Sequence, residues 1–452
     1  MIKKRFENYK KHLSKEPHMG KVLEKAELQT EEVFEGCAWY VLAPTMNMFI
    51  VWTLQQALEK KVKRLYFLAR DAYLMFKIAN RICTKYNLPI ECRYLYCSRF
   101  SLRAPLFHFD IEQALDSICA DGQVMNLEVI LERTGLSEVQ KAEVISRLTT
   151  GFEPDEDIPS SRLKEVREKL RNCELFMDYF TKHSEKMTPA LMGYLKQEGL
   201  LDDVPYAVVD CGWAGSVQKS LNQALSHLGV KENVMGFYWG LYELPSKKNE
   251  KDYHPFYFSP GKGIKEKVYF SNFLFEAIFS APHGTTTGYE WVGGKYEPIY
   301  LESQQEKIDF IGRIEGKLLQ YTDSLLEDVD HISGIDASGA KKTLYHILKL
   351  FMSRPSEEEA KYFGGLIFSY DVEEDGTHSI ASKFTLQDLK DYQLIPRVLR
   401  MLGLKDGRTK VSGWPEGSIV LYGKRIRYHL LQIALYKWLS YTRMQLLWRI
   451  KA

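Results

Sequence analysis

The sequence predicts an α/β fold: a parallel sheet interrupted by helical insertions and followed by a helical C-terminal region. Three stretches carry that expectation. In YAVVDCGWAGSVQKSL (206–221) the apolar run Ala207-Val208-Val209 ends on Asp210 and turns through Gly212 and Gly215. Val217, Leu221, Ala224, Leu225 and Leu228 then recur at helical spacing. In RLYFLARDAYLMFKIANRI (64–82) the run Leu65–Leu68 ends on Arg70-Asp71, and Leu74, Met75, Ile78, Ala79 and Ile82 mark a helix face. A third run, Tyr94–Cys97, ends on Ser98-Arg99. If these strands are parallel neighbours, their polar ends converge on one sheet edge, where open α/β sheets take their ligands.

The residue types at that edge suit an anion. Gly212 and Gly215 let the backbone approach a bound group, and the helix N-terminus presents unpaired N–H groups and a positive dipole end. Ser216 is placed to cap that helix and donate a hydroxyl, and Gln218 follows in its first turn. Arg70 and Arg99 match phosphate oxygens bidentately; Ser98 joins them as a ligand-binding candidate, and Trp213 as a platform for a sugar or base. Asp71 and Asp210 are candidate bases, or carboxylates for a divalent ion such as Mg²⁺. Structural readings stand beside these: a glycine turn serving geometry alone, with Ser as cap, and salt bridging among Arg70, Asp71 and Arg99. Glu276, alone among apolar neighbours in YFSNFLFEAIFS (269–280), is costly to bury without a partner. It reads equally as a site acid with a shifted pKa or as a structural partner of an Arg.

The chain's 452 residues allow two or three domains, or one core with large insertions. The 61 Lys+Arg nearly balance 59 Asp+Glu, which gives no reason to expect a nucleic-acid partner. Aromatic content of 13% suits a carbohydrate or membrane-surface protein as well as a large core. Seven cysteines without a CxxC pair indicate neither a disulfide framework nor a zinc site, and point to a reducing cytoplasm. The basic N-terminus lacks an apolar leader segment, so no signal peptide is expected. Cys37–Leu58 carries no charge and is long enough to span a bilayer. Pro44, Asn47, Gln55 and Gln56 favour a loop and buried helix instead.

In chain order, the expected parts are an N-terminal helical segment (1–32), a first part of the α/β core (33–107), a helical insertion (108–203) and a second part of the core (204–300). A helical region (301–410) and a linker with a C-terminal helix (411–452) follow. The insertion is expected over the ligand edge, where lids often sit. Val234–Tyr242 reads as an aromatic strand, Tyr269–Ser280 as one helix, and Gly293-Gly294 as a hairpin turn. His283 reads as a loop residue without function, Val372–His378 as an exposed acidic turn, and Val411–Gly417 as a linker. In 424–452, basic residues occur without any acid. Ile426, Leu430, Ile433, Ala434, Tyr441, Met444 and Trp448 share one face, interrupted by Lys437, with Leu431, Leu435, Trp438, Leu439 and Leu446 opposite. A helix apolar nearly all round is more often buried in the core; peripheral membrane contact is the other reading.

FLARDAYLMFKIA, YCSRFSLR and VVDCGWAGSVQKSL together resemble a family of bacterial proteins found with surface-polysaccharide biosynthesis. Its members commonly read FLARDGYL, SR and VDIGWxGTxQ, and are usually described as predicted hydrolases of the haloacid dehalogenase superfamily. The resemblance covers roughly residues 33–300; Ala72 stands where relatives usually have Gly. In many relatives a separate N-terminal domain carries a DxDx[TV] nucleophile, and this chain is expected to start after it. No DxDx[TV] occurs: Asp155-Glu156-Asp157 is followed by Ile158-Pro159, and Asp328-Val329-Asp330 by His331-Ile332. The glycine turn is also similar to that of type I phosphoribosyltransferases, although it has a single acid and no Thr-Gly pair. These likenesses imply a Rossmann-like or phosphoribosyltransferase-like sheet. With the site residues they imply a glycosyl- or phospho-group transferase acting on a phosphorylated or nucleotide-activated sugar. A non-catalytic module of a polysaccharide assembly complex is the alternative, and a phosphatase is the least supported reading.

Overall fold

A five-stranded parallel sheet forms the centre of the protein, with strand order β2-β1-β3-β4-β5. The strands are β1 (Arg64–Leu68), β2 (Glu91–Leu95), β3 (Tyr206–Trp213), β4 (Met235–Leu241) and β5 (Tyr253–Phe258). The computed structural model describes residues 2–25, 30–122, 125–148, 151, 153–367, 379–405 and 412–450. Val372–His378 therefore lies outside the described residues, as does Val411.

Alternating residues of the strands feed two cores. Leu65, Phe67, Ala207, Val209, Phe237 and Trp239 pack with the helices Ala43–Glu59 and Tyr73–Tyr86. Tyr66, Leu68, Leu95 and Val208 pack with Leu191, Tyr194 and Leu195 of the helix Glu174–Gln197, and with Leu221, Ala224 and Leu225 of the helix Ser216–His227. This division follows from topology. From β1 the chain crosses to β2, and from β3 it crosses the opposite way to β4. Right-handed crossovers then place the two connecting helices on opposite faces, and a crevice opens between the carboxyl ends of β1 and β3.

The edge strands differ from the expected pattern. β2 covers Glu91–Leu95 rather than Tyr94–Cys97. It pairs only with β1, so one side is free and polar residues serve: Glu91 holds both Arg64 Nε, at 2.5 Å, and Arg93 Nε, at 2.6 Å. β5, the other edge, contains Pro255, a residue that only an edge tolerates. The Gly293-Gly294 turn joins the hairpin β6 (Thr286–Val292) to β7 (Lys295–Tyr300), with φ of 58° and 93° as a two-residue hairpin turn requires.

Three further expectations are corrected. The helix expected over 269–280 is shorter, Asn272–Ile278, because the Ser271 side chain accepts the Leu274 N–H and caps it there; a separate helix, Ile264–Val268, precedes it. The described part of VSGWPEG, residues 412–417, is not a linker. Trp414 is wholly buried and its Nε1 donates to the Met352 carbonyl at 2.6 Å, after which Pro415 opens the helix Pro415–Tyr422. The C-terminal helix, Ile426–Ile450, packs on the protein by one face and does not lie wholly in the core. Of its residues only Ile433 is buried. Lys437 does not disrupt its inner face, since it pairs with the buried Glu416 at 2.7 Å. Among the described residues one segment, Val33–Glu59, is long and apolar enough to cross a membrane, and its most apolar window lies entirely inside the fold.

Candidate active site

The crevice between β1 and β3 gathers charged groups from segments far apart in sequence. After β1 come Arg70 and Asp71, following a cis Ala69–Arg70 peptide bond. Ala72 has φ −92°, a conformation open to any residue, so the turn after Asp71 does not depend on Gly. Asp210 comes from within β3, which continues to Trp213 rather than ending on the acid, and Glu276 comes from the helix Asn272–Ile278. The charge of Asp71 acts on both Asp210 and Glu276, and Arg99 lies close enough to act on all three. The three acids proposed from sequence thus meet at one place.

Burial dominates their protonation. It pushes Asp210 up to about 7, reinforced by Asp71 and opposed by the Cys211 and Gly212 N–H groups and by Arg99. Burial likewise pushes Glu276 up to about 8, again reinforced by Asp71, against a hydrogen bond from Trp213 and the charges of Arg99 and Arg70. Asp71 is raised by burial, while Arg70, Lys307 and Arg99 pull it down. Two carboxyls therefore exchange protons close to neutrality, the range in which an acid or base works best at physiological pH.

The end of β3 and the turn after it are built for close approach. Gly212 has φ 109°, and a Cβ there would stand 2.4 Å from the Gly240 carbonyl oxygen. Gly215, at φ 61°, occupies the N-cap of the helix Ser216–His227. Ser216 is thus the first helical residue and not the cap, and the helix N-terminus carries no side-chain cap. Its first N–H groups have no intrahelical acceptor. Trp213 has φ 66°, a left-handed backbone that costs a non-glycine residue about 1–2 kcal/mol. Its indole packs against Phe270 and Phe275, with centroids at 5.6 and 5.9 Å, and its Nε1 donates to Glu276 Oε1. Trp213 therefore positions Glu276; its place as a stacking platform is taken by this packing.

Two other candidates have structural engagements. Gln218 is buried, donates to the carbonyls of Val234 (2.7 Å) and Asp252 (3.4 Å) and accepts from Tyr238 Oη. Its amide ties the helix to β4 and the start of β5, and leaves little for a ligand. Ser98 caps the helix Arg99–Arg103, accepting from Ser101 N, and donates to the Thr286 carbonyl at 2.7 Å. Arg99, the next residue, is exposed.

Sequence reasoning missed Lys307 and His283. Lys307, on the helix Gln305–Leu326, is lowered to about 7 by burial and by Arg70, with Asp71 opposing. His283 sits beside Gly284, whose carbonyl, at 2.8 Å, must accept from Nδ1–H. Nε2 is left to accept the Tyr94 hydroxyl at 2.9 Å. Burial and the charges of Arg70 and Lys307 hold this ring neutral, at about 4. The polar turn around His283 was the available signal. Nothing local marks Lys307, because only the tertiary fold brings its helix to the crevice. None of the crevice side chains named here comes from 108–203, the segment expected to act as a lid.

Among the described residues no three His, Cys, Asp or Glu side chains are arranged to hold a metal ion. No protein-family model matches the chain. No curated protein matches it either.

Proposed function

We propose that the β1/β3 crevice binds a phosphorylated or nucleotide-activated sugar and transfers its glycosyl or phospho group, in the setting of bacterial surface-polysaccharide synthesis that the motif resemblance implies. The observation that carries this reading is the meeting of Asp71, Asp210 and Glu276 with Arg70, Arg99 and Lys307 beside an uncapped helix N-terminus. The cations and the first N–H groups of the helix Ser216–His227 neutralise phosphate. For glycosyl transfer, Asp210 takes the proton of the acceptor hydroxyl as that oxygen bonds to the anomeric carbon. The bond from that carbon to the phosphate oxygen breaks, and the electron pair leaves with the phosphate. Protonated Glu276, oriented by Trp213, donates to the departing oxygen. Such acid–base assistance contributes about 10²–10⁴-fold.

The same protonated carboxyls also suit binding without turnover, as hydrogen-bond donors to sugar hydroxyls. Thermal unfolding against a panel of sugar phosphates and nucleotide sugars, with and without Mg²⁺, tests the site. A ligand at a hundred times its Kd stabilises by about 2.7 kcal/mol. That stabilisation is expected to shrink in Arg99→Ala, while Asp210→Asn keeps binding and loses turnover by about a hundredfold or more. If no member of the panel stabilises the protein, or if stabilisation and turnover both survive these changes, the site is misassigned. Binding with no turnover in the wild type would select the non-catalytic reading.

A further inference from the structure

We infer that the C-terminal helix Ile426–Ile450 is a docking surface for an anionic lipid bilayer. The helix has 25 residues and runs about 37 Å at 1.5 Å per residue. Its inner face is held down. Ile433 is buried with Ile419 and Phe384, Tyr441 stacks on Tyr242 at 5.4 Å, Lys437 pairs with Glu416, and Lys247 Nζ reaches the Trp448 carbonyl. The outer face is left bare. Leu431 is 57% exposed, Leu435 42%, Leu439 49%, Leu446 53% and Ile450 78%. These positions recur at four- and seven-residue intervals, so they form one stripe along the helix. Ile395 and Leu402, on and just after the adjoining helix Leu394–Met401, extend the apolar surface beside it.

Charge decides what covers the stripe. At helical spacing, Arg443 falls on one flank and Arg427 and Arg449 on the other; Lys424 and Arg425 immediately precede the helix; all five are exposed, and the helix contains no Asp or Glu. Apolar residues rimmed by cations, with Trp438 at the border, match the boundary between acyl chains and anionic headgroups. A second copy fits poorly. A twofold contact along this stripe would lay the two sets of arginines along one seam with no acid between them. The helix lies on the bilayer and does not span it, because its inner face is committed to the protein.

Flotation of the full chain with vesicles of phosphatidylcholine, with or without phosphatidylglycerol, tests this. Each cation near an anionic surface is worth about 1 kcal/mol, so Arg425→Glu/Arg443→Glu/Arg449→Glu should weaken binding by about a hundredfold or more. Leu435→Ser/Leu439→Ser/Leu446→Ser should also release the protein. All six positions are exposed, and an unchanged melting curve certifies each variant's fold. Binding only to phosphatidylglycerol vesicles, lost in both variants, is the expected result. Intact folded protein that ignores these vesicles, or binding indifferent to the arginines, overturns the inference. So does sedimentation showing a dimer that Leu439→Glu dissociates, which would assign the stripe to a second copy.

Discussion

Asp210 carries a pH signature that can be measured without knowing the substrate. Its folded-state value, about 7, lies above the usual carboxylate value near 3.8. The folded chain therefore holds a proton that the unfolded chain releases between those limits. Stability from this group is full below about 3.8 and is lost as pH rises through about 7. At pH 8 the buried charge costs on the order of a few kcal/mol. Glu276, raised to about 8, has the same sign. Lys307, lowered to about 7, has the opposite sign, and stability rises again as pH climbs above that value. Asp210→Asn keeps the shape and removes the charge. Urea unfolding should find the variant more stable than the wild type at pH 8, with the difference vanishing toward pH 4. Parallel curves at all pH values would mean that Asp210 is not held protonated. These residues were legible to different degrees. Asp71 follows the end of β1 and Asp210 closes the apolar run inside β3, and periodicity locates both. Glu276 was visible as a lone acid in an apolar run. His283 and Lys307 owe their states to neighbours hundreds of residues away or in other layers, and no local pattern encodes that.

At the scale of elements, legibility followed burial. The inner strands β1, β3 and β4 are covered on both faces and read as apolar runs, with glycine marking the turn after β3. The edge strands were misplaced or missed, since a strand paired on one side can hold Glu91, Arg93 or Pro255. VSGWPEG has a loop's composition, yet Trp414 within it fills the core between Met352 and the helix Pro415–Tyr422. Trp414→Ala should cost about 3–5 kcal/mol, the range for truncating a buried large aromatic, and it also leaves the Met352 carbonyl without its donor. Chemical denaturation checks this. A loss under about 1 kcal/mol, well below that range, would return the segment to the status of a linker. In the C-terminal helix the sequence correctly divided the two faces. It could not say which elements would cover them, and the answer is that only the inner face is covered.

Across the whole molecule, the reversal of strand order at β1/β3 accounts for the site. It sends the helices Tyr73–Tyr86 and Ser216–His227 to opposite faces and leaves Arg70, Asp71, Asp210 and the segment Gly212–Ser216 around one crevice. The helix Asn272–Ile278 and the helix Gln305–Leu326 then close on it with Glu276 and Lys307. The most direct test is a crystal structure with a nucleotide sugar bound. The phosphate is predicted at the N-terminus of the helix Ser216–His227, within hydrogen-bond reach of Arg70 or Arg99, with the sugar against Asp210 and Glu276. A ligand bound anywhere else, with this crevice filled only by water, would contradict the account.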